Sequence, residues 1–429
     1  MSPRLAIIFF SFLLILSINS EASKPEKADP VPKGKGTPSY QKRDEKIRVF
    51  VEGIRLDMDY MRRRMRYVDF VQEPSFADVH IIISNRTSGS GGHVYSLIYN
   101  NLTLENISNF TISATTLSSD TYEEERQKIT DALALGLMPY VSQTKASEML
   151  VFKYNGSDED MSGENVEDPW NNWTFRGDVS GNANLEESRK TYYYSFNVRA
   201  DKVTEDWRIR NNARRTVNTK KYTSDGEEYS SINTTTYGSS SVVKSINSRW
   251  SVGAFANLYN SNYQNELYSI SVKPAVEYNI FPWDISDRKV FTIAYYIGPK
   301  WNKYYEETIY SKLQENLWEQ SLNLDLQLVQ TWGEINGGLH ATNYLHDWTK
   351  NRVTFDSNLS IRIIRGLSVR MGFRVENVHD QIYLAQGDVS LEDVLLNKVQ
   401  LPSTFEIGAD FGLRVQFGSI YNNIVNNRL

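Results

Sequence analysis

The sequence predicts a two-part fold: an α+β N-terminal module plus an all-β antiparallel transmembrane β-barrel of about 12 strands. Three observations lead there. The C-terminal two-thirds alternates apolar and polar residues over segments of ten or more positions. A membrane-crossing strand needs ~9–11 residues, whereas the average soluble strand has ~5–6. The chain is polar on average, with a mean hydropathy of −0.48, yet it carries 26 Tyr and 9 Trp, as outer-membrane barrels with aromatic girdles do. Only one continuous apolar run occurs in the 429 residues, which excludes a bundle of membrane helices at ~20 apolar residues each.

That run is Leu5 to Ile18, preceded by Arg4 and followed by Ser20-Glu21-Ala22. A positive start, a short apolar centre and small residues at the cut make residues 1–22 a secretory signal peptide. Residues 23–45 are rich in Pro, Lys, Gly and Ser and read as a flexible leader. Cysteine is absent, which removes disulfides, thiolate nucleophiles and Cys-ligated zinc. A near balance of 47 Lys+Arg against 52 Asp+Glu argues against a nucleic-acid partner, whose footprint is a clustered basic excess.

Residues 46–154 read as a mixed module in the order β-α-β-β-β-α-β. Ile47 to Val51, Val79 to Ile83, Val94 to Tyr99, Phe110 to Ala114 and Met149 to Tyr154 are its strands. Gly89-Ser90-Gly91-Gly92 turns the second strand into the third as a hairpin tip. A phosphate cradle is the other reading of these glycines, but no helix follows them. Leu56 to Phe70 has helical spacing, with Arg62, Arg63, Arg64 and Arg66 largely on its outer side. These four are a solvated face or a surface for an acidic partner. Thr121 to Val141 is a long helix with Ile129, Ala132, Leu133, Leu137, Tyr140 and Val141 as its buried stripe, capped by Ser118, Ser119 or Asp120. Residues 155–169 hold six acidic residues and no aromatic, the mark of a linker.

The barrel occupies residues 170–429. In segment 366–376, Leu367, Val369, Met371, Phe373 and Val375 alternate with Ser368, Arg370, Gly372, Arg374 and Glu376. Segment 404–417 repeats the pattern from Phe405 to Phe417. About twelve such segments follow one another, and an even count lets an antiparallel sheet close with both ends on one side. Tight turns at 204–205, 247–248, 333–334 and 365–366 and longer loops at 306–316 and 385–402 suggest the usual two-sided asymmetry, with turn 282–288 longer than it predicts. Trp170, Trp173, Trp207, Trp250, Trp283, Trp301, Trp332 and Trp348 fall near segment ends, as an interface girdle requires.

On the inward face, Arg199, Asp201, Asp356, Arg362, Arg370, Arg374, Glu376, Asp410 and Arg414 form a polar lining of both signs. Such a lining pairs across a narrow lumen and closes it, or leaves a narrow polar pore. Catalytic candidates are weak. His346-Asp347 and His379-Asp380 are adjacent, and neighbours in a strand point to opposite faces. Five His without a metal-binding spacing give no metal or cofactor site.

The stretches VFVEGIRLDMDYMRRRMRYVDFVQEPSFADVHIII, GGHVYSLIY and DTYEEERQKITDALALGLMPYV, with EYNIFPW, YEETIY, DQIYL and the ending FGSIYNNIVNNRL, resemble a family of Gram-negative outer-membrane β-barrel proteins of unassigned activity with an N-terminal periplasmic α+β module. The resemblance covers nearly all of the chain after the signal. It implies an exported protein set in outer-membrane lipid, and it brings no catalytic residues. Three functions are open on these readings. The first is a non-enzymatic barrel whose module binds an envelope partner in a structural or assembly role. The second is a narrow channel for small polar solutes. The third is an outer-membrane hydrolase, which needs Ser and His (His340, His346 or His379) to converge at the rim.

Overall fold

The computed structural model describes residues 43–151 and 168–415, apart from 55, 105, 225, 365, 366, 388–392, 394, 395 and 397. The expected signal peptide and nearly all of the leader lie outside the described residues. Of the leader's last residues, Arg43 bridges Thr144 and Asp44 pairs with Lys145 at 2.5 Å.

The module runs β1 (Ile47–Gly53), α1 (Met58–Arg64), β2 (Val68–Phe70), β3 (Val79–Thr87), β4 (His93–Asn101), β5 (Phe110–Thr115) and α2 (Tyr122–Val141). Its five strands order as β2-β1-β3-β4-β5, parallel about β1 and antiparallel from β3 onward. Three details differ from the sequence reading. The first helix stops at Arg64 rather than Phe70, because Val68 and Phe70 alternate into the core beside Ile47 and Val49 as an edge strand. No strand forms at 149–151: Lys145–Met149 is a 3-10 turn, and 152–154 lie outside the described residues. The cap of α2 is Thr121, whose side chain takes the Glu124 N–H while Glu124 reaches back to the Thr121 N–H at 2.7 Å. That reciprocal box satisfies two amides at once, which Ser118, Ser119 and Asp120 are not placed to do.

Alternation assigns the two faces of this sheet. Ile47, Val49, Ile81 and Ile83 turn to one side and pack with Met61 and Met65 near α1 and Leu133, Leu137 and Tyr140 of α2. Phe50, Glu52, His80, Ile82 and Arg86 turn to the other, away from both helices. Just before β3, an inner strand of the sheet, the Asp78 carboxylate is fully buried. It accepts from the Arg48 backbone N–H at 2.9 Å, from the Arg48 guanidinium at 3.0 and 3.2 Å and from the Thr103 hydroxyl at 2.8 Å.

The second body is a 12-stranded antiparallel sheet: β6 (Trp173–Leu185), β7 (Arg189–Val203), β8 (Trp207–Ser224), β9 (Glu227–Ser245), β10 (Trp250–Ser261), β11 (Glu266–Asn279), β12 (Lys289–Tyr304), β13 (Gln314–Gln330), β14 (Gly333–Tyr344), β15 (Asp347–Ile364), β16 (Leu367–Val378) and β17 (Phe405–Val415). Each strand pairs with its successor, and the order is linear: β6 and β17 are edges that do not pair with each other. All twelve alternating segments map one to one onto strands, most within a few residues, and β17 is the shortest at 11 residues. Short connections at 186–188, 225–226, 262–265 and 345–346 share the far end with the long ones at 305–313 and 379–404, so two loops carry most of the expected asymmetry.

Following the register across the sheet gives two unlike faces. One holds Phe175, Val198, Ala213, Val242, Val252, Val272, Tyr295, Leu322, Leu339, Phe355, Phe373 and Phe411. The other holds Arg199, Arg210, Glu277, Ala294, Glu319, Asp356 and Glu376. The burial is inverted relative to a soluble sheet. Trp318 is 55% exposed and Phe411 70%, both on the apolar face, while on the polar face Asn279 is 2% and Glu376 6% exposed.

Replacement of Asp78 by Ala should cost about 1–3 kcal/mol by removing the buried acceptor of the Arg48 amide and the Thr103 hydroxyl. Burial pulls the Asp78 carboxyl upward, but the Arg48 and Thr103 bonds outweigh it and the net position is below the ordinary carboxylate range. The stabilisation is therefore complete above that range and disappears as pH falls through the lowered folded value. Amide hydrogen exchange of β1 and β3 should lose protection along this acid limb, and Asp78→Asn should flatten it.

Candidate functional site

The second face of the module's sheet is seated against the sheet end formed by connections 204–206, 246–249, 280–288 and 331–332. Alternation in β1 and β3 explains the seat, because every second residue of each strand is free of the helices. Glu52 is the central contact. Its Oε1 lies 2.8 Å from Nε2 of the buried His80, and its Oε2 lies 2.5 Å from Nη2 of Arg362 on β15. The Arg362 guanidinium stands 5.0 Å over the Phe50 ring, a cation–π contact worth about 1 kcal/mol. Arg86 reaches the Ser286 hydroxyl at 3.5 Å. The glycine tip rests on the first strand of the large sheet: the Gly91 carbonyl accepts from Arg176 at 3.2 Å and the Gly89 carbonyl from Thr174 at 3.4 Å.

Three cavities open along this junction. One of about 320 Å³ lies between Phe50, Glu52 and Glu73 and the strand ends carrying Arg362, Arg370 and Arg414. A second, of about 880 Å³, lies between the β3–β4 hairpin and Arg208, Asn279 and Trp283. A third, of about 120 Å³, lies beneath the glycine tip and is lined by Arg176, Arg199, Asp201 and Arg210.

At the far end, charged groups of the polar face meet across strands two apart. Glu319 on β13 is shared by Lys273 of β11 and, at 3.3 Å, Lys300 of β12. Glu376 on β16 is shared by Arg352 of β15 and Arg374 at 3.2 Å, and Arg352 also holds Asp380 at 2.9 Å. Tyr344 accepts from Lys300 at 3.3 Å. The long loops close over this end: Ile309 bonds the Leu384 carbonyl and Gln386 the Glu307 carbonyl. Asn265 ties the β10–β11 connection to the Glu306 and Tyr383 carbonyls, both at 3.0 Å. Much of loop 385–402 is outside the described residues, though Leu396 is buried.

All nine lining candidates fall on the polar face. Arg362 pairs with the module through Glu52, and Arg374 pairs with Glu376 and, at 4.0 Å, Glu406. Asp356 lies 4.0 Å from His340, which also faces Asp325 at 3.5 Å. Among the described residues Arg199, Asp201, Arg370, Asp410 and Arg414 make no ion pair within 4 Å. The network of Glu266, Lys273, Lys300, Glu319, Arg352 and Asp380 was not singled out in the sequence. Their polar-face positions are legible from alternation, but the meeting of strands two apart is not. Among the described residues, no group of three or more His, Asp and Glu could hold a metal ion.

Of the arginine run, Arg62 pairs with Asp59 at 3.4 Å, and Arg64 with Asp131 at 3.5 Å and the Tyr60 hydroxyl at 2.7 Å. Arg63 and Arg66 are exposed, and among the described residues they make no ion pair within 4 Å. No protein-family model matches the chain, and no curated protein matches it.

Glu52→Gln and Arg362→Gln should each speed tryptic cleavage within residues 43–87 of the intact chain. The double variant should be cleaved no faster than either single one, because both changes break the same contact, with a coupling of about 1–2 kcal/mol.

Proposed function

We propose that the chain is an outer-membrane β-barrel protein without catalytic activity. Its 12-stranded sheet closes by pairing β6 with β17. Its lumen is shut by the ionic network at the far end and by the module at the other. The module lies in the periplasm and offers its helical side, with Arg63 and Arg66, to an acidic surface of an envelope partner.

The observation that carries this reading is the inverted burial: apolar side chains are exposed around twelve consecutive strands, while the opposite face buries Glu266, Glu319, Glu376 and Asn279. In water such a surface far exceeds the few hundred Å² a monomer leaves bare, whereas in lipid it is the surface a barrel needs. The unpaired edges point the same way. Backbone groups left open along 11 and 13 residues each cost several kcal/mol in hydrocarbon. Twelve strands make β6 and β17 antiparallel, so they fit the pairing used elsewhere in the sheet. Tryptophans support the span. Trp173, Trp207, Trp250 and Trp332 mark the module end, and Trp301 and Trp318 the far end. About a dozen residues separate the rows along β12 and β13, roughly 30 Å for a strand tilted by ~40°.

The absence of cysteine makes closure testable. Ser180→Cys, combined in turn with Gly408→Cys, Asp410→Cys or Gly412→Cys, should give an intramolecular disulfide in one pairing in membranes. Failure of all three would sink the closed barrel. The purified chain should be silent in planar bilayers, and stepwise conductance would replace this reading with the narrow channel.

A further inference from the structure

We propose that the 120 Å³ pocket beneath the glycine tip binds a phosphate group. Arg176, Arg199 and Arg210 would hold its oxygens, and Asp201 would accept a hydrogen bond from its protonated oxygen. The inference does not depend on closure of the sheet or on its setting in lipid.

The charge arrangement calls for an anion. Arg176 and Arg199 are direct register partners on β6 and β7, pointing to the same polar face. Like charges placed opposite one another in an antiparallel pair destabilise it. Arg210 of β8 faces Asp201 in the neighbouring register position and lines the same pocket. Three guanidiniums thus share one carboxylate, and no described carboxylate comes within 4 Å of any of them. The one fixed bond, from Arg176 to the Gly91 carbonyl, leaves most of their donors open. Arginine's planar fork suits phosphate oxygens. The pocket is several times the ~10–15 Å³ that one water requires.

The module completes the pocket. Thr87 and Ser88 bring hydroxyls to its rim. Gly91 has φ +82°, and a Cβ there would lie 2.2 Å from Nη2 of Arg176. The guanidinium is the movable end of a long side chain, so it is the positive φ that favours glycine here.

Asp201 sets the specificity. It lines the pocket, and among the described residues no cation lies within 4 Å of its carboxylate, which leaves an acceptor for a donor. Near neutral pH inorganic phosphate holds one or two protons and its monoesters keep part of their last one, so either supplies a donor. Sulfate has no proton to give and meets the carboxylate as a like charge.

The test is titration calorimetry on the purified full-length chain at pH 7, with inorganic phosphate, glycerol 3-phosphate and sulfate as probes. Saturable binding of inorganic phosphate is expected, with sulfate at least tenfold weaker. Arg199→Gln and Arg210→Gln should each weaken phosphate about tenfold, the loss of one charge-assisted contact. Arg199→Lys should keep much of the binding, and Arg215→Gln on the apolar face should change nothing. Circular dichroism confirms that each variant keeps its strands. Binding of glycerol 3-phosphate alone, with the same arginine dependence, supports the site and identifies a phosphorylated group rather than the free ion as its ligand. Asp201→Asn should raise sulfate towards phosphate. The proposal is overturned if neither phosphate probe binds saturably, if binding ignores Arg199 and Arg210, or if sulfate binds the native chain as well as phosphate does.

Discussion

Twelve strands that expose apolar side chains on one face and carry their charges on the other, with Glu266, Glu319 and Glu376 buried there, impose a single constraint on the molecule: the two faces call for different media. Carbon-rich side chains such as Phe355, Phe373 and Leu322 gain nothing by facing water, at ~25 cal/mol per Å². Glu319 and Glu376 cannot face hydrocarbon unpaired. The alternation of each strand, which obliges neighbours to point opposite ways, therefore decides everything downstream. It sends the charges to one side, forces them to find partners there, and leaves the strand ends as the place where a second folded body can dock.

The charged side meets that demand by sharing. Four cations, Lys273, Lys300, Arg352 and Arg374, stand among four carboxylates, Glu266, Glu319, Glu376 and Asp380. Isolated buried pairs often fail to recover their desolvation cost. Here Glu319 and Glu376 each bind two cations, and Lys300, Arg352 and Arg374 each have two partners of their own. Such a network gives up stability relative to an apolar core but fixes one arrangement of strands, since a shift of register would strand several charges at once. The opposite end is built differently. Its arginines outnumber nearby acids among the described residues, and the strong pair there, Glu52 with Arg362, belongs half to the module.

Much of this was legible before any coordinates. Period-two alternation located the twelve strands and the face of each residue, because it depends only on local backbone geometry. Helical periodicity located α2 and most of its stripe for the same reason. Errors arose where local signals competed. Tyr67, Val68 and Phe70 fit a helix by spacing, but β-branched and aromatic residues next to Ile47 and Val49 gain more as a strand. Met149 to Val151 look like a strand in isolation, but the edge of the sheet they would join is elsewhere. Contacts such as Glu52–Arg362, 310 positions apart in the chain, or Lys273–Glu319, across an intervening strand, depend on how the sheet curls and where the module lands. No spacing rule encodes either.

Arg215 is the severest case for the proposed membrane setting, since the register puts it on the apolar face, beside Phe196 and Thr236. Depth resolves the conflict. β8 and β9 are among the longest strands of the sheet, with 18 and 19 residues, against the ~9–11 that span a bilayer. Counted from Trp207 at the module end, Arg215 lies eight residues along, or roughly 20 Å of height at a tilt of ~40°. In an apolar band of ~25 Å that places it close to the far interface, where an arginine costs about 0–1 kcal/mol rather than the ~2–4 of the midplane. Its guanidinium reaches the Thr236 hydroxyl at 3.3 Å, and the residues beyond it on the same face, Thr219 and Lys221, are polar as well. The outer face thus changes character at Arg215 and Val217, where the band would end, and the remainder of the β8–β9 hairpin projects into water.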